Sequence, residues 1–284
     1  MGSCPVYLKS SYNNMPELPE VETTKRGIEP YLKGKRITNI VVRNASLRQP
    51  VTANIAECCK GQLILSVSRR GKYLLIATAR GNLLIHLGMS GSLRIVPANS
   101  PPQKHDHVDL VVGKQAVRLR DPRRFGLFLW SEERLAEHPL LKNLGPEPLD
   151  AVFSAEHLWN VSRKRRVAIK NFIMNSHIVV GVGNIYANEA LFMSGIRPTR
   201  QAGKISRDDF ERLVINIRKV LKDAIRQGGT TLKDFRNEEG KPGYFAQELR
   251  VYGRAGEACS CCGERIKSKV IGQRSSFYCS KCQK

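Results

Sequence analysis

Residues 62–88 read QLILSVSRRGKYLLIATARGNLLIHLG: three short runs of aliphatic and β-branched side chains, separated by polar, glycine-bearing breaks. Apolar runs of this length bounded by turn residues predict strands, since a helix would need a longer stretch between breakers. Ala79-Arg-Gly-Asn82 falls between the second and third runs, where a hairpin turn needs residues that tolerate positive φ. The pattern extends both ways, through ITNIVV (37–42), HVDLVV (107–112), AVRLRD (116–121) and GLFLW (126–130), with Val112-Gly-Lys-Gln115 at a second hairpin position. The first half is therefore an antiparallel β sandwich or barrel, and a sandwich is the fold expected.

Leu144-Gly-Pro-Glu-Pro148 removes two backbone donors and disfavours helix before each proline, which suits a linker. Beyond it the period changes. Ser206, with Asp209 three residues later, signals a helix start; Phe210, Leu213, Val214, Ile217, Val220, Leu221 and Ile225 follow at helical spacing until Gly228-Gly229. Segments 154–174 and 184–194 also read as helices. The expected organisation is an extension over 1–14, a β-sandwich domain over 15–146, a helical domain over 150–240 and a small terminal module over 250–284.

The 284 residues carry 47 Lys and Arg against 25 Asp and Glu, a formal charge of +22. Such a field attracts polyanions and points to nucleic acid. No run approaches the ~18 apolar residues of a membrane span, and the N-terminal MGSCPVYLKSSYNN lacks a signal-peptide core, so a soluble cytoplasmic protein is expected. Four of the eight cysteines stand as Cys259-x2-Cys262-x16-Cys279-x2-Cys282. Two Cys-x-x-Cys knuckles joined by a hairpin-length spacer suit one tetrahedral Zn2+; two disulfides are the alternative. Cys4, Cys58, Cys59 and Cys261 form no framework. Lys267, Lys269 and Arg274 make the intervening hairpin basic.

Met15-Pro-Glu-Leu-Pro-Glu-Val-Glu22 packs three carboxylates and two prolines into eight residues, which on its own reads as the acidic first turn of a helix. This opening resembles that of the bacterial formamidopyrimidine-DNA glycosylases. The similarity continues in order through RRGKYLL around Lys72, HLGMSG (86–91), KHDHVD (104–109), DPRRFG (121–126), GVGNIYANEALF (181–192), QGGTTLKDF (227–235), GKPGYFAQEL (240–249) and the cysteine hairpin.

The resemblance implies a bifunctional enzyme of base-excision repair, a glycosylase for oxidised purines such as 8-oxoguanine and formamidopyrimidines that also cleaves the strand by β,δ-elimination. Pro16 matches the N-terminal amine nucleophile, Glu17 the acid/base residue of the glycosylase step, Lys72 the residue assisting 3′ elimination, and Arg274 the one linked to the 5′ elimination. Met89, Arg123 and Phe125 match three residues that fill the space left by a flipped nucleotide. His105, Arg123, Arg165, Lys170 and Asn184 match DNA contacts. The resemblance also implies an α+β multidomain fold in which 15–146 is the catalytic β sandwich, 150–240 a helical DNA-binding domain with a helix-two-turn-helix element that includes Asn184, and 250–284 a β-hairpin zinc finger. Relatives often carry lysine at the position of Arg165, and the run Arg163–Arg166 also suits a solvated face. Gly181-Val-Gly-Asn184 departs from a dinucleotide fingerprint at Tyr186 and reads instead as a turn presenting N–H groups to a phosphate at a helix N-terminus. His107, His138, His157 and His177 have no role legible in the sequence.

The expected partner is damaged double-stranded DNA, bound by a monomer with one structural Zn2+, no nucleotide cofactor and no membrane, in a nucleoid-associated bacterial setting. Two other readings compete: an endonuclease VIII-type glycosylase for oxidised pyrimidines, whose opening reads PEGPE, and a non-catalytic zinc-ribbon DNA binder. Residues 1–14 have no counterpart in the family. An amide-bonded Pro16 could not act as a nucleophile, so the extension is expected to be absent from the active form.

Overall fold

The computed structural model describes residues 16–228 and 249–284. Two four-stranded antiparallel sheets face each other in the first half. One contains β1 (Asn39–Val42), β5 (Ser92–Pro97), β6 (Asp106–Val112) and β7 (Gln115–Arg120), in spatial order β1-β6-β7-β5. The other contains β2 (Ser66–Arg70), β3 (Tyr73–Ala77), β4 (Asn82–His86) and β8 (Leu127–Ser131), in spatial order β2-β3-β4-β8.

The unbroken apolar runs of β3 and β4 follow from burial on both faces. Leu74, Ile76, Leu83 and Ile85 fill the space between the sheets, whereas Leu75 and Leu84 point outward onto Leu141. Both expected hairpins form, but the first uses its glycine differently. A Cβ on Gly81 would lie 2.6 Å from the Ser131 carbonyl oxygen and 2.7 Å from the Trp130 ring, so close approach and not positive φ excludes a side chain there. Gly113, in the second hairpin, does adopt φ +58°. Two details differ from the sequence expectation. The run at 62–67 becomes a strand only from Ser66, and β5 was not foreseen because Arg94 interrupts its apolar pattern and pairs with buried Asp106 at 3.2 Å.

Helix α1 (Leu18–Leu32) opens with Pro19 in its first turn and joins the two halves. Its Val21, Ile28 and Leu32 belong to the sandwich core, while Leu18 belongs to a second core whose other buried members run from Phe153 to Cys279. After the short α2 (Ile55–Cys59), that second core gathers α3 (Ala155–Ser162), α4 (Ile169–Ile173), α5 (Asn184–Met193) and α6 (Arg207–Arg226).

The segment expected as one helix over 154–174 is two. Between them the Ala202 N–H donates to Val167 and the Ile169 N–H to the Arg200 carbonyl, so backbone groups there pair with residues 200–202 instead of continuing the helix. α6 starts at Ser206, whose hydroxyl accepts the Asp209 N–H at 3.0 Å, and buries all but the last of the seven expected apolar positions. β9 (Lys267–Ile271) and β10 (Arg274–Tyr278) form the terminal hairpin, turning through Gly272 (φ +56°) and Gln273 (φ +62°).

The proline-rich linker is pinned. Glu147 accepts from Gly71 N–H at 2.6 Å, Arg69 at 2.8 Å and Arg70 at 3.0 Å, and Arg69 reaches Glu22 of α1 at 3.1 Å. Among the described residues no helix is long and apolar enough to cross a membrane.

On the outer face of the first sheet, opposite the core, Arg118 grips buried Asp109 through two bonds of 2.8 Å, and Arg43 adds a third at 2.6 Å. These cations hold the Asp109 carboxyl below its ordinary range despite burial. Replacing Arg118 with Met leaves Asp109 with one exposed-side partner and should lower the unfolding free energy by about 3 kcal/mol, read from urea denaturation.

Candidate active site and metal centre

The carboxylate of Glu17, only 2% exposed, lies against the first turn of α5. Its oxygens accept the backbone N–H groups of Gly183 at 2.7 Å, Ile185 at 2.8 Å and Tyr186 at 3.4 Å. The N–H groups that the sequence directs at a phosphate thus hold a carboxylate of the same chain, which the open N-terminus of a helix favours for the same reason. Gly183 is required by this seat, because a Cβ there would fall 2.2 Å from Glu17 Cδ. Gly181 (φ +81°) accepts the Leu18 N–H at 3.1 Å and completes the docking of α1.

Burial raises the Glu17 pKa to about 7; Lys72 opposes the shift and Glu20 adds to it. Glu20, also buried, accepts the Glu17 N–H at 2.9 Å and the Tyr186 hydroxyl at 2.6 Å. That bond restrains the Pro16–Glu17 peptide, which carries the Pro16 Cα in its plane. Pro16 itself is buried at the start of α1.

Lys72 follows Gly71 (φ +57°) at the turn into β3. Burial lowers its proton affinity, Arg274 lowers it further, and Glu17 and Glu20 pull the other way. Pro16, Glu17, Lys72 and Arg274, expected from the sequence to cooperate, therefore come from both halves and from the terminal hairpin to one region.

Lys170 and Asn184 brace the hairpin there. The fully buried Lys170 ammonium donates to Ser276 Oγ at 2.5 Å and to the Ser275 carbonyl at 3.0 Å, and Asn184 Nδ2 donates to that same carbonyl at 3.2 Å. Burial, reinforced by Arg274, brings the Lys170 pKa down to about 7. Asn184 Oδ1 is buried with no hydrogen-bond partner among the described residues. The hairpin tip also closes on α4, where a Cβ on Gly272 would meet the Asn171 amide at 2.4 Å.

Met89 sits in the turn after β4, and Arg123 and Phe125 in the turn before β8. None of the three belongs to a hydrophobic core: Phe125 is 44% exposed, with the Arg123 guanidinium 5.1 Å from its ring centre. Burial, with Lys72 and Arg48 nearby, pushes the His86 pKa down to about 3, and its neutral Nδ1 accepts the Gly88 N–H at 2.9 Å. His105 (φ +75°) lies partly exposed beside these turns, its carbonyl accepting the Asp121 N–H at 3.0 Å. Arg165 stands exposed in the loop between α3 and α4. The motifs at 229–235 and 240–248, and the extension, lie outside the described residues.

The sulfur atoms of Cys259, Cys262, Cys279 and Cys282 all lie within 4.8 Å of one another. The separations Cys259–Cys282 at 3.9 Å and Cys262–Cys279 at 3.5 Å bracket the edge, about 3.8 Å, of a tetrahedron whose centre is ~2.3 Å from each sulfur. The donor set fits one tetrahedral thiolate-bound metal ion. Buried Gln283 locks the second knuckle, accepting the Cys279 N–H at 2.9 Å and donating to the Ile196 carbonyl at 2.8 Å.

Sequence reasoning missed Glu20 and Tyr186. Both stood inside motifs already singled out, but a buried side chain is not distinguishable from an exposed one by spacing.

Residues 15–128 match the formamidopyrimidine-DNA glycosylase N-terminal domain and residues 144–236 the formamidopyrimidine-DNA glycosylase H2TH domain. The formamidopyrimidine-DNA glycosylase of Thioalkalivibrio sulfidiphilus is 57% identical over 271 residues, covering 95% of this chain and 100% of the relative; that of Shewanella halifaxensis is 55% identical with the same coverage. The crystal structure of the MutM (Fpg) protein from Thermus thermophilus superposes with a TM-score of 0.85 at 35% identity, over 94% of this chain and 98% of that one. The Lactococcus lactis Fpg in complex with an abasic site containing DNA gives 0.87 at 30% identity, over 94% and 99%. The chain belongs to the formamidopyrimidine-DNA glycosylase family.

Proposed function

We propose that this protein is a base-excision DNA glycosylase and lyase that removes oxidised purines from duplex DNA through an imine on Pro16. The observation that carries the reading is the Glu17 carboxyl, held near a pKa of about 7 beside the Pro16 peptide and coupled to Lys72. A group poised there can donate or accept a proton at neutral pH.

The unprotonated Pro16 nitrogen attacks C1′ of the flipped nucleotide and the glycosidic bond breaks as Glu17 supplies a proton to the departing base; Pro16 then loses its N–H proton and the C1′–O4′ bond opens, O4′ taking up a proton, which leaves a C1′ iminium. Loss of a C2′ proton then expels the 3′ phosphate, with Lys72 assisting, and a second elimination, assisted by Arg274, expels the 5′ phosphate. Met89, Arg123 and Phe125 occupy the vacated stack, and His105, Arg123, Arg165, Lys170 and Asn184 serve the phosphate backbone. For Lys170 and Asn184 the support is indirect, through the Ser275 carbonyl and hence Arg274.

One Zn2+ on the four cysteines would supply folding energy to the hairpin and no chemistry. Structures of the Lactococcus lactis Fpg hold Fapy-dG containing DNA, in a mutant, and oxidized pyrimidine containing DNA, in the wild type, so a lesion panel should include both classes. The expected setting is a monomer in the bacterial cytoplasm, at the nucleoid.

The nucleophile must be a free secondary amine, so the active form begins at Pro16. Borohydride should trap that form covalently on oxidised duplex and should fail on protein retaining residues 1–15, the lengths verified by intact mass. Equal trapping by the longer chain would transfer the role to another amine such as Lys72. No trapping by either would leave a non-catalytic DNA binder.

As the acid of base expulsion, Glu17 is effective while protonated, so its contribution is complete below its folded pKa and is lost as pH rises through about 7. Glu17→Gln should reduce single-turnover excision by roughly 100-fold or more and remove that limb from the pH profile, while a preformed abasic site, which has no base to expel, still traps.

Cys279→Ala should abolish the single equivalent of zinc measured by metal analysis and reduce DNA affinity in a gel-shift titration. Full affinity in metal-free protein would refute the structural role.

A further inference from the structure

Asp121 is fully buried, and its carboxylate joins two separate turns. Oδ1 accepts the Ser90 hydroxyl at 2.8 Å and the Arg123 N–H at 3.3 Å, and Oδ2 accepts the Gly126 N–H at 2.8 Å. Ser90 Oγ in turn accepts that Arg123 N–H at 3.1 Å, closing a ring across the turns. These partners are a hydroxyl and backbone amides, groups that fix direction better than a mobile cation does.

The turns also touch directly. A Cβ on Gly88 (φ +63°) would lie 2.4 Å from the Phe125 carbonyl carbon, and one on Gly126 would lie 2.9 Å from the His86 carbonyl oxygen. From behind, His107 Nε2 lies 2.8 Å from the Asp121 carbonyl oxygen. Ser90 is adjacent to Met89, and the Asp121–Gly126 turn contains Arg123 and Phe125.

We propose that Asp121 and Ser90 form a clasp that holds the turn of Met89 and the turn of Arg123 and Phe125 as one rigid unit, with Asp121 a positioning residue for base extrusion. The proposal rests on the wedge reading of Met89, Arg123 and Phe125. Side chains that must displace a stacked base lose part of their effect if their backbones yield, and a clasp orders them before DNA arrives. His107, to which the sequence assigned no role, supports the hub from the far side.

The test uses the zinc-loaded, catalytically active protein with Ser90→Ala, Asp121→Asn, Met89→Ala, Phe125→Ala and the Ser90→Ala/Met89→Ala double variant. Ser90→Ala should slow single-turnover excision of 8-oxoguanine from duplex by about tenfold, because it weakens the unstacking step. It should leave borohydride trapping on a single-stranded abasic oligonucleotide, which has no partner strand to unstack from, within about twofold. The double variant should be no more than about twofold slower than the slower single variant, the non-additivity expected if Ser90 acts through Met89.

Wild-type duplex excision in Ser90→Ala, a fully multiplicative double variant, or an equal loss on single-stranded DNA overturns the clasp. If Asp121→Asn does not fold, Ser90→Ala carries the decision. The wedge reading fails separately, on wild-type duplex excision by both Met89→Ala and Phe125→Ala.

Discussion

The bond set between the Glu17 carboxylate and the opening turn of α5 is the constraint on which the remaining architecture depends. It places an anion from the first helix on three amide donors of the helical half, across 166 positions of sequence for Gly183. A helix terminus offers unsatisfied N–H groups and a favourable dipole, and a carboxylate in that position is stabilised. Here burial outweighs those donors and the nearby Lys72, which is why the group holds its proton to about pH 7. One interaction thereby joins the two halves and tunes an acid. Gly181 and Gly183 follow from it, as neither has room for a side chain.

Much of this was legible in advance, and the exceptions have physical causes. The cysteine knuckles were readable because two residues between ligands is a local constraint set by the metal's geometry. The strands of the first half were readable from runs between turns, except β5, whose Arg94 looks polar in sequence and is neutralised by Asp106 only in three dimensions. The break within 154–174 was invisible because its cause lies at residues 200–202, whose pairing with 167–169 competes with the helical ladder.

At the site, the glycine turn was recognised as an anion seat, and its backbone N–H groups hold the Glu17 carboxylate. Backbone N–H groups carry no residue identity, and phosphate and carboxylate satisfy them alike. Lys170 likewise looked like a phosphate contact by type and position; its ammonium is buried on the hairpin, beside Arg274. Both cases show where motif reasoning stops. It names the kind of group required and leaves open which part of the molecule supplies or receives it.

Leu18 belongs to a core whose other buried members begin at residue 153, while Val21, Ile28 and Leu32 of the same helix belong to the sandwich core. For a chain emerging from a ribosome this imposes an order of events. The sandwich can close and hold α1 by Val21, Ile28 and Leu32, but the apolar face of Leu18 and the carboxyl of Glu17 have no seat until residues 181–186 have been made. At about 5–20 residues per second, the roughly 55 residues between the end of β8 and Tyr186 take about three to eleven seconds. Through that interval the nascent sandwich displays an unfilled apolar end, so the first turn of the chain to be synthesised is among the last to be seated.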